Sequence, residues 1–112
     1  MPQLTVRGVN SETLVQVSRE LIEELAQICE CGTDNFTLDD LPVVSVFGGE
    51  VVQTYPFVEV AWFDRGQDVQ DKLAAALTRH LQQAGVAEVE VAFKVYKETA
   101  YYINGRPCGT AE

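Results

Sequence analysis

"PFVEVAWFDRG", residues 56–66, decides the fold. Phe57, Glu59, Ala61 and Phe63 fall on one face of an alternating pattern, and Val58, Val60 and Trp62 on the other. That period of two marks a β-strand. Pro56 suits the strand's first position, where no ladder donor is needed. The order Pro, alternating strand, Arg-Gly also opens the chain as "PQLTVRG", residues 2–8. There Leu4 and Val6 alternate with Gln3, Thr5 and Arg7.

A helical pattern follows each of these strands. Leu14, Val17, Leu21, Ile22, Leu25, Ile28 and Cys29 recur at helical spacing, with Asn10 and Ser11 competing as N-cap and Gly32 as the expected stop. Val69, Leu73, Ala76, Leu77, Leu81 and Ala84 form the second stripe, over Gln67 to Ala84, ended by Gly85. Strand-like sequence follows each helix. "NFTLDDLPVVSVFGGEVVQTY" (35–55) holds a Gly48-Gly49 hairpin signal, and "EVEVAFKVY" (88–96) alternates cleanly. The tail "ETAYYINGRPCGTAE" (98–112) carries an Asn104-Gly105 turn.

The reading is an α+β, two-layer sandwich in one domain over 1–112. It is built of two pseudo-symmetric β-α-β units, roughly 1–55 and 56–112, with a β-hairpin extension. Right-handed crossovers put both helices on one face of a mixed four-stranded sheet. The other face is left bare, and with so many apolar residues alternating on the strands it calls for cover. Homo-oligomerisation is the simplest cover, with a trimer expected.

Charge and cysteine usage narrow the function. Seventeen acidic against eight basic residues give a net charge of −9. Such a surface repels phosphate backbones, so no nucleic-acid partner is expected. No apolar run approaches the length that spans a bilayer, and no basic-then-apolar leader opens the chain, so the expectation is a cytoplasmic protein without a membrane partner. Cys29, Cys31 and Cys108 are an odd set suited to reduced thiols. One Cys-Glu-Cys, one distant cysteine and one histidine fall short of a zinc spacing, so neither metal nor other cofactor is expected.

The chemistry-bearing candidate is Pro2. Removal of Met1 would leave it a free secondary amine; a retained Met1 would acylate the nitrogen and abolish its basicity. A free α-amine titrates near ~8, and a general base works best close to the operating pH. Burial or a nearby cation would lower its pKa by disfavouring the protonated form. If the two first strands lie antiparallel at the sheet centre, Arg65 approaches Pro2 and Arg7 approaches Pro56. Pro56 has no free amine, so only one end can be chemically active. A pocket lined by Trp62, Phe63 and a tyrosine, with an arginine at its edge, would tune Pro2 and bind a carboxylate bidentately.

The blocks "MPQLTVRGV" (1–9), "YPFVEVAWFDRGQ" (55–67) and "YYINGRP" (101–107) resemble the tautomerase / macrophage migration inhibitory factor superfamily, and within it a family of uncharacterised bacterial proteins. The resemblance spans essentially the whole chain. It implies trimers of β-α-β-β-α-β units, and an N-terminal proline acting as general acid or base in keto–enol tautomerisation. Pro2 alone maps onto that motif; the arginines do not.

The expected activity is therefore a cofactor-free, tautomerase-type isomerase acting on a small anionic keto or dicarbonyl acid. Pro2 is the proton shuttle. Arg65, then Arg7 or Arg106, anchors the carboxylate, with Trp62 and Tyr101 as further substrate-binding candidates. Each has a plainer reading. Pro2 could merely begin a strand, Arg65 could pair with Asp64 or Asp68, and Tyr101 and Tyr102 could pack an arm on a neighbouring subunit. Glu59 is read as an interface residue or the partner of a cation, and His80 as structural. Two whole-protein alternatives stand beside the enzyme: a non-catalytic oligomeric module binding a ligand or partner, and a ferredoxin-like regulatory domain with the same element order.

Overall fold

The computed structural model describes residues 2–109. The first unit holds Gln3–Arg7 (β1), Ser11–Cys29 (α1) and Thr37–Leu41 (β2). A hairpin of Ser45–Phe47 (β3) and Glu50–Val52 (β4) follows. The second unit holds Phe57–Trp62 (β5), Gln67–Gln83 (α2) and Glu90–Val95 (β6), and a short hairpin of Tyr102–Ile103 (β7) and Arg106–Pro107 (β8) comes after it. Met1 lies outside the described residues, so the processing of the N-terminus does too.

Four strands form one sheet in the order β2-β1-β5-β6. β2 runs parallel to β1, β6 runs parallel to β5, and the central β1–β5 pair is antiparallel. This is the arrangement two β-α-β units give when an approximate twofold axis relates them, and the pattern of residues 56–66 specified it. Central strands need apolar side chains on the covered face. Leu4, Val6, Val58, Val60 and Trp62 supply them, each at most 1% exposed. Against them pack Leu14, Leu21 and Leu25 of α1, and Leu73, Ala76, Leu77 and Leu81 of α2. Each fully buried large aliphatic side chain contributes roughly 1.5–3 kcal/mol.

The helices begin and end for identifiable reasons. Asn10 caps α1, its Oδ1 accepting the Glu12 amide at 2.7 Å. The helix stops at Cys29, three residues before Gly32, the expected terminator. Glu30 takes the left-handed conformation instead (φ 55°, ψ 48°), so that its amide and that of Cys31 bond back to Gln27 and Ala26. Between the helices, Glu24 accepts from Arg79 through both carboxylate oxygens and lies 2.8 Å from His80 Nε2. His80 is thus part of a helix–helix clamp.

The bare sheet face differs from expectation. Its cross-strand rows read Thr37–Gln3–Ala61–Lys94, Asp39–Thr5–Glu59–Ala92 and Leu41–Arg7–Phe57–Glu90. That face is largely polar, because alternation sends the valines of β5 to the helix side. Most of the exposed apolar groups sit on or beside the hairpins instead, although Val15 of α1, Leu41 of β2 and Val95 of β6 are exposed too. Val46 is 69% and Phe47 80% exposed, and Val51, Tyr102 and Ile103 are exposed as well. The β3–β4 hairpin turns through Gly48 and Gly49, both at positive φ, as a two-residue loop of this kind requires. These projections stretch the chain to 52 × 31 × 24 Å, with a radius of gyration of 15.5 Å. A compact chain of this length would have about 13 Å.

Candidate active site

The antiparallel β1–β5 register pairs Gln3 with Ala61 and Arg7 with Phe57. One step outward, Pro2 stands level with Trp62, so the start of β1 lies beside the end of β5. The Pro2 side chain is fully buried. Its carbonyl accepts the Thr37 amide at 3.2 Å, which ties it to the start of β2 as well. Pro2 is therefore held in the middle of the sheet's end.

Arg65 lies at this same end, in the turn from β5 into α2. Asp64 does not pair with it; Asp64 Oδ1 accepts the Gly66 amide at 2.8 Å and shapes the turn. Arg65 folds back, its Nη1 donating to the Phe63 carbonyl at 3.3 Å and its guanidinium carbon 5.6 Å from the Trp62 ring centroid. Among the described residues the ion pairs are those of Glu24 with Arg79 and His80. The half-buried Arg65 thus has no carboxylate partner there, and most of its N–H donors stay free for an anion.

The neighbouring aromatic residues divide between the two faces. Trp62 is a core residue, 5.0 Å from Phe93 between ring centroids, with its buried Nε1–H unpartnered by protein. It is a platform under Arg65, not the wall of an open pocket. Phe63, Tyr96 and Tyr101 cluster together, with Phe63–Tyr101 centroids 5.0 Å apart and Tyr96–Tyr101 5.2 Å. Gln3 Nε2 donates to the Tyr101 hydroxyl at 2.9 Å. Tyr101 therefore packs on its own sheet, on the face opposite Trp62. Gln3 and Tyr96 join this cluster, although alternation marks Gln3 only as an outward residue of β1.

The other arginines are placed elsewhere. Arg7 is at the opposite end of β1, 5.0 Å over the Phe57 ring. Arg106 is exposed on β8, opposite Ile103. Its side chain makes no ion pair among the described residues. A cleft of about 520 Å³ runs between α1 and β2, another of about 600 Å³ lies around Gly8, Tyr55 and Gly85, and one of about 490 Å³ flanks Cys31. Pro2 lines none of these. Among the described residues no group of three or more His, Cys, Asp or Glu could hold a metal ion, and no helix is long and apolar enough to cross a membrane.

Against known proteins, the family model described as "Domain of unknown function (DUF1904)" matches residues 1–107. No curated protein matches. Among solved structures, a DUF1904 domain from Sebaldella termitidis is 33% identical, with 96% of this chain and 99% of that one covered and a TM-score of 0.88. A macrophage migration inhibitory factor-like protein from Entamoeba histolytica is 14% identical over 95% of this chain and 97% of that one, with a TM-score of 0.68. A fused 4-OT described as an asymmetric trimer is 18% identical over 95% of each chain, with a TM-score of 0.73. At such identities the last two establish a shared fold, that of the macrophage migration inhibitory factor and 4-OT proteins.

Proposed function

The chain belongs to this DUF1904 family, and from that premise and its fold we propose that it is a cofactor-free, tautomerase-type isomerase of small keto or dicarbonyl acids. The observation that carries the reading is the pairing at one sheet end of a buried Pro2 with a carboxylate-free Arg65. With Met1 removed, the Pro2 nitrogen takes a proton from the carbon next to a carbonyl and returns it at the enol's other terminus. Burial and a cationic neighbour both favour the neutral amine that this needs. Arg65 holds the substrate carboxylate through two N–H donors, fixing which carbon faces the amine. Tyr101, positioned by Gln3, offers a hydroxyl to the developing enolate oxygen.

The working unit is a trimer. The apolar hairpins, exposed in a single chain, cover one another's sheet edges, and a neighbouring chain closes the space outside Pro2. A fused 4-OT of the same fold is described as a trimer, and the bulk of the exposed apolar surface sits on elements that project away from the core.

The test begins with the intact mass of protein purified from its own cells, which reports whether Met1 is absent. Enol-to-keto exchange of phenylpyruvate is then followed for the wild type and Pro2→Ala. Slower exchange is expected for Pro2→Ala, whose primary α-amine replaces the secondary one, and a loss of about 10²- to 10⁴-fold for protein that keeps Met1, where the nitrogen is an amide. A retained Met1, or equal rates in the two proteins, would leave the fold as a non-catalytic oligomeric module.

A further inference from the structure

The α1 C-terminus carries a feature that the Pro2 reading does not use. Cys29 is its last residue and packs against the hydrophobic core. Glu30 then turns left-handed, and the backbone bond from Cys31 to Ala26, at 3.0 Å, fixes the turn. This left-handed turn with bonds back to the last helical turn is a common way for a helix to end. Its effect here is to bring two thiols together across one residue. They act on each other: burial pushes the Cys29 thiol up, Arg65 pulls it down, and Cys31 raises it further.

The pair is asymmetric. Cys31 lines the open cleft of about 490 Å³, together with Glu23 and Glu30, and no lysine or arginine lines it. Both side chains are half-buried, but Cys29 packs against the core. A thiol lining a cleft beside one packed on the core is the arrangement of an attacking and a resolving cysteine.

We propose that Cys29 and Cys31 form a redox-active dithiol that exchanges with small neutral or cationic disulfides. The Cys31 thiolate attacks one sulfur of the disulfide, forming a mixed disulfide and expelling one thiolate, which takes up a proton. The Cys29 thiol gives its proton to solvent and its sulfur attacks Cys31, closing the intramolecular bond and expelling the second thiolate. The protein loses two electrons and two protons, and the small disulfide gains them as two thiols. Cys29 and Cys31 are within the Cα separation a disulfide bridges, since one residue divides them on a tight turn. The acidic cleft sets the preference for reactants without negative charge. The reaction stands whether or not Pro2 is catalytic, although the pair lies at the same sheet end.

The experiment uses the full chain carrying Cys108→Ser, which removes the exposed third thiol. Reduced protein is treated with cystamine or with glutathione disulfide, and products are mapped by intact mass and peptide analysis. Cystamine is expected to close Cys29–Cys31 without a lasting adduct, at least about threefold faster than glutathione disulfide at low salt, with the gap narrowing as salt rises. Cys29→Ser should trap the adduct on Cys31, and Cys31→Ser should react at least about tenfold more slowly, because the remaining thiol is sheltered. In the same protein without substitutions at the pair, limiting iodoacetamide should modify Cys31 before Cys29. Stable adducts on both cysteines, or equal alkylation rates, would overturn the proposal.

Discussion

Replacing Arg65 by Ala separates an anion-binding arginine from a structural one, because the structure sets the two costs apart. On the stability side, Arg65 makes one cation–π contact with Trp62 and one hydrogen bond of 3.3 Å to the Phe63 carbonyl. The contact is worth about 0.5–1 kcal/mol at a partly exposed site. The long hydrogen bond falls at the low end of the roughly 0.5–1.5 kcal/mol range. No carboxylate is stranded by the change, since none pairs with Arg65 among the described residues. The sum is about 1–1.5 kcal/mol, a drop of roughly 4–6 °C in Tm for a domain of this size.

On the binding side the loss is larger. A charge-assisted hydrogen bond to a carboxylate contributes about 1.5–3 kcal/mol net, and the two donors of the fork share one partner and do not add fully. Taking about 3 kcal/mol for a half-buried guanidinium gives a fall of about 100-fold in kcat/KM. Arg65→Lys keeps the charge but not the fork, and should lose about tenfold. Phenylpyruvate exchange gives the kinetics, and thermal unfolding followed by the fluorescence of Trp62, the chain's one tryptophan, gives the stability. A Tm fall well beyond the stated range with unchanged kcat/KM per folded molecule would refute the assignment, leaving Arg65 as a brace for the β5–α2 turn.

Glu24→Gln tests the helix clamp. The Glu24 carboxyl is held below its ordinary pKa of 4.5, chiefly by its hydrogen bond to His80 and then by Arg79. A depressed folded-state pKa adds stability that is fully present above the unfolded value and is lost as pH falls through the folded one. Wild-type Tm should therefore fall more steeply than that of Glu24→Gln below about pH 4.5. The pair is partly exposed, so the difference at pH 7 should stay within about 1 kcal/mol; parallel Tm curves would show that the clamp contributes nothing. Glu30→Gly relieves the left-handed residue and should raise stability by about 0.5–1 kcal/mol in urea unfolding. A loss instead would mean that the Glu30 side chain itself stabilises the turn.

The fold was legible where a side chain's role depended on spacing alone. Alternation in 2–8 and 56–66 gave both central strands, and their antiparallel meeting placed Arg65 at the Pro2 end of the sheet. Gly48-Gly49 and Asn104-Gly105 gave the hairpins because those turns demand positive φ. Spacing could not foretell competition between partners. Asp64 sits next to Arg65, yet the Gly66 amide takes its carboxylate. Gly32 is the better left-handed residue, yet Glu30 caps α1, because the bonds from Glu30 and Cys31 to Gln27 and Ala26 form two residues earlier. Trp62 reads equally as pocket wall or core; only the packing of Phe93 and the helices against it assigns it inside.

The two ends of the sheet also explain why one of them alone is a candidate for chemistry. Each end brings an arginine against an aromatic ring, Arg65 over Trp62 and Arg7 over Phe57, at 5.6 and 5.0 Å. The two pairs lie on opposite faces, Arg65 with Trp62 on the helix side and Arg7 with Phe57 on the bare side, so the approximate twofold axis does not exchange them. Nor can it duplicate the base, because Pro56 continues from Tyr55 and its nitrogen is an amide, whose lone pair is delocalised into the carbonyl. The backbone before Pro56 also presses on the opposite strand: a Cβ on Gly8 would lie 2.6 Å from the Tyr55 carbonyl oxygen. At the Pro56 end the chain occupies the space next to the proline nitrogen. At the Pro2 end, with Met1 removed as proposed, the corresponding nitrogen would be a free amine, and this end alone would hold a base.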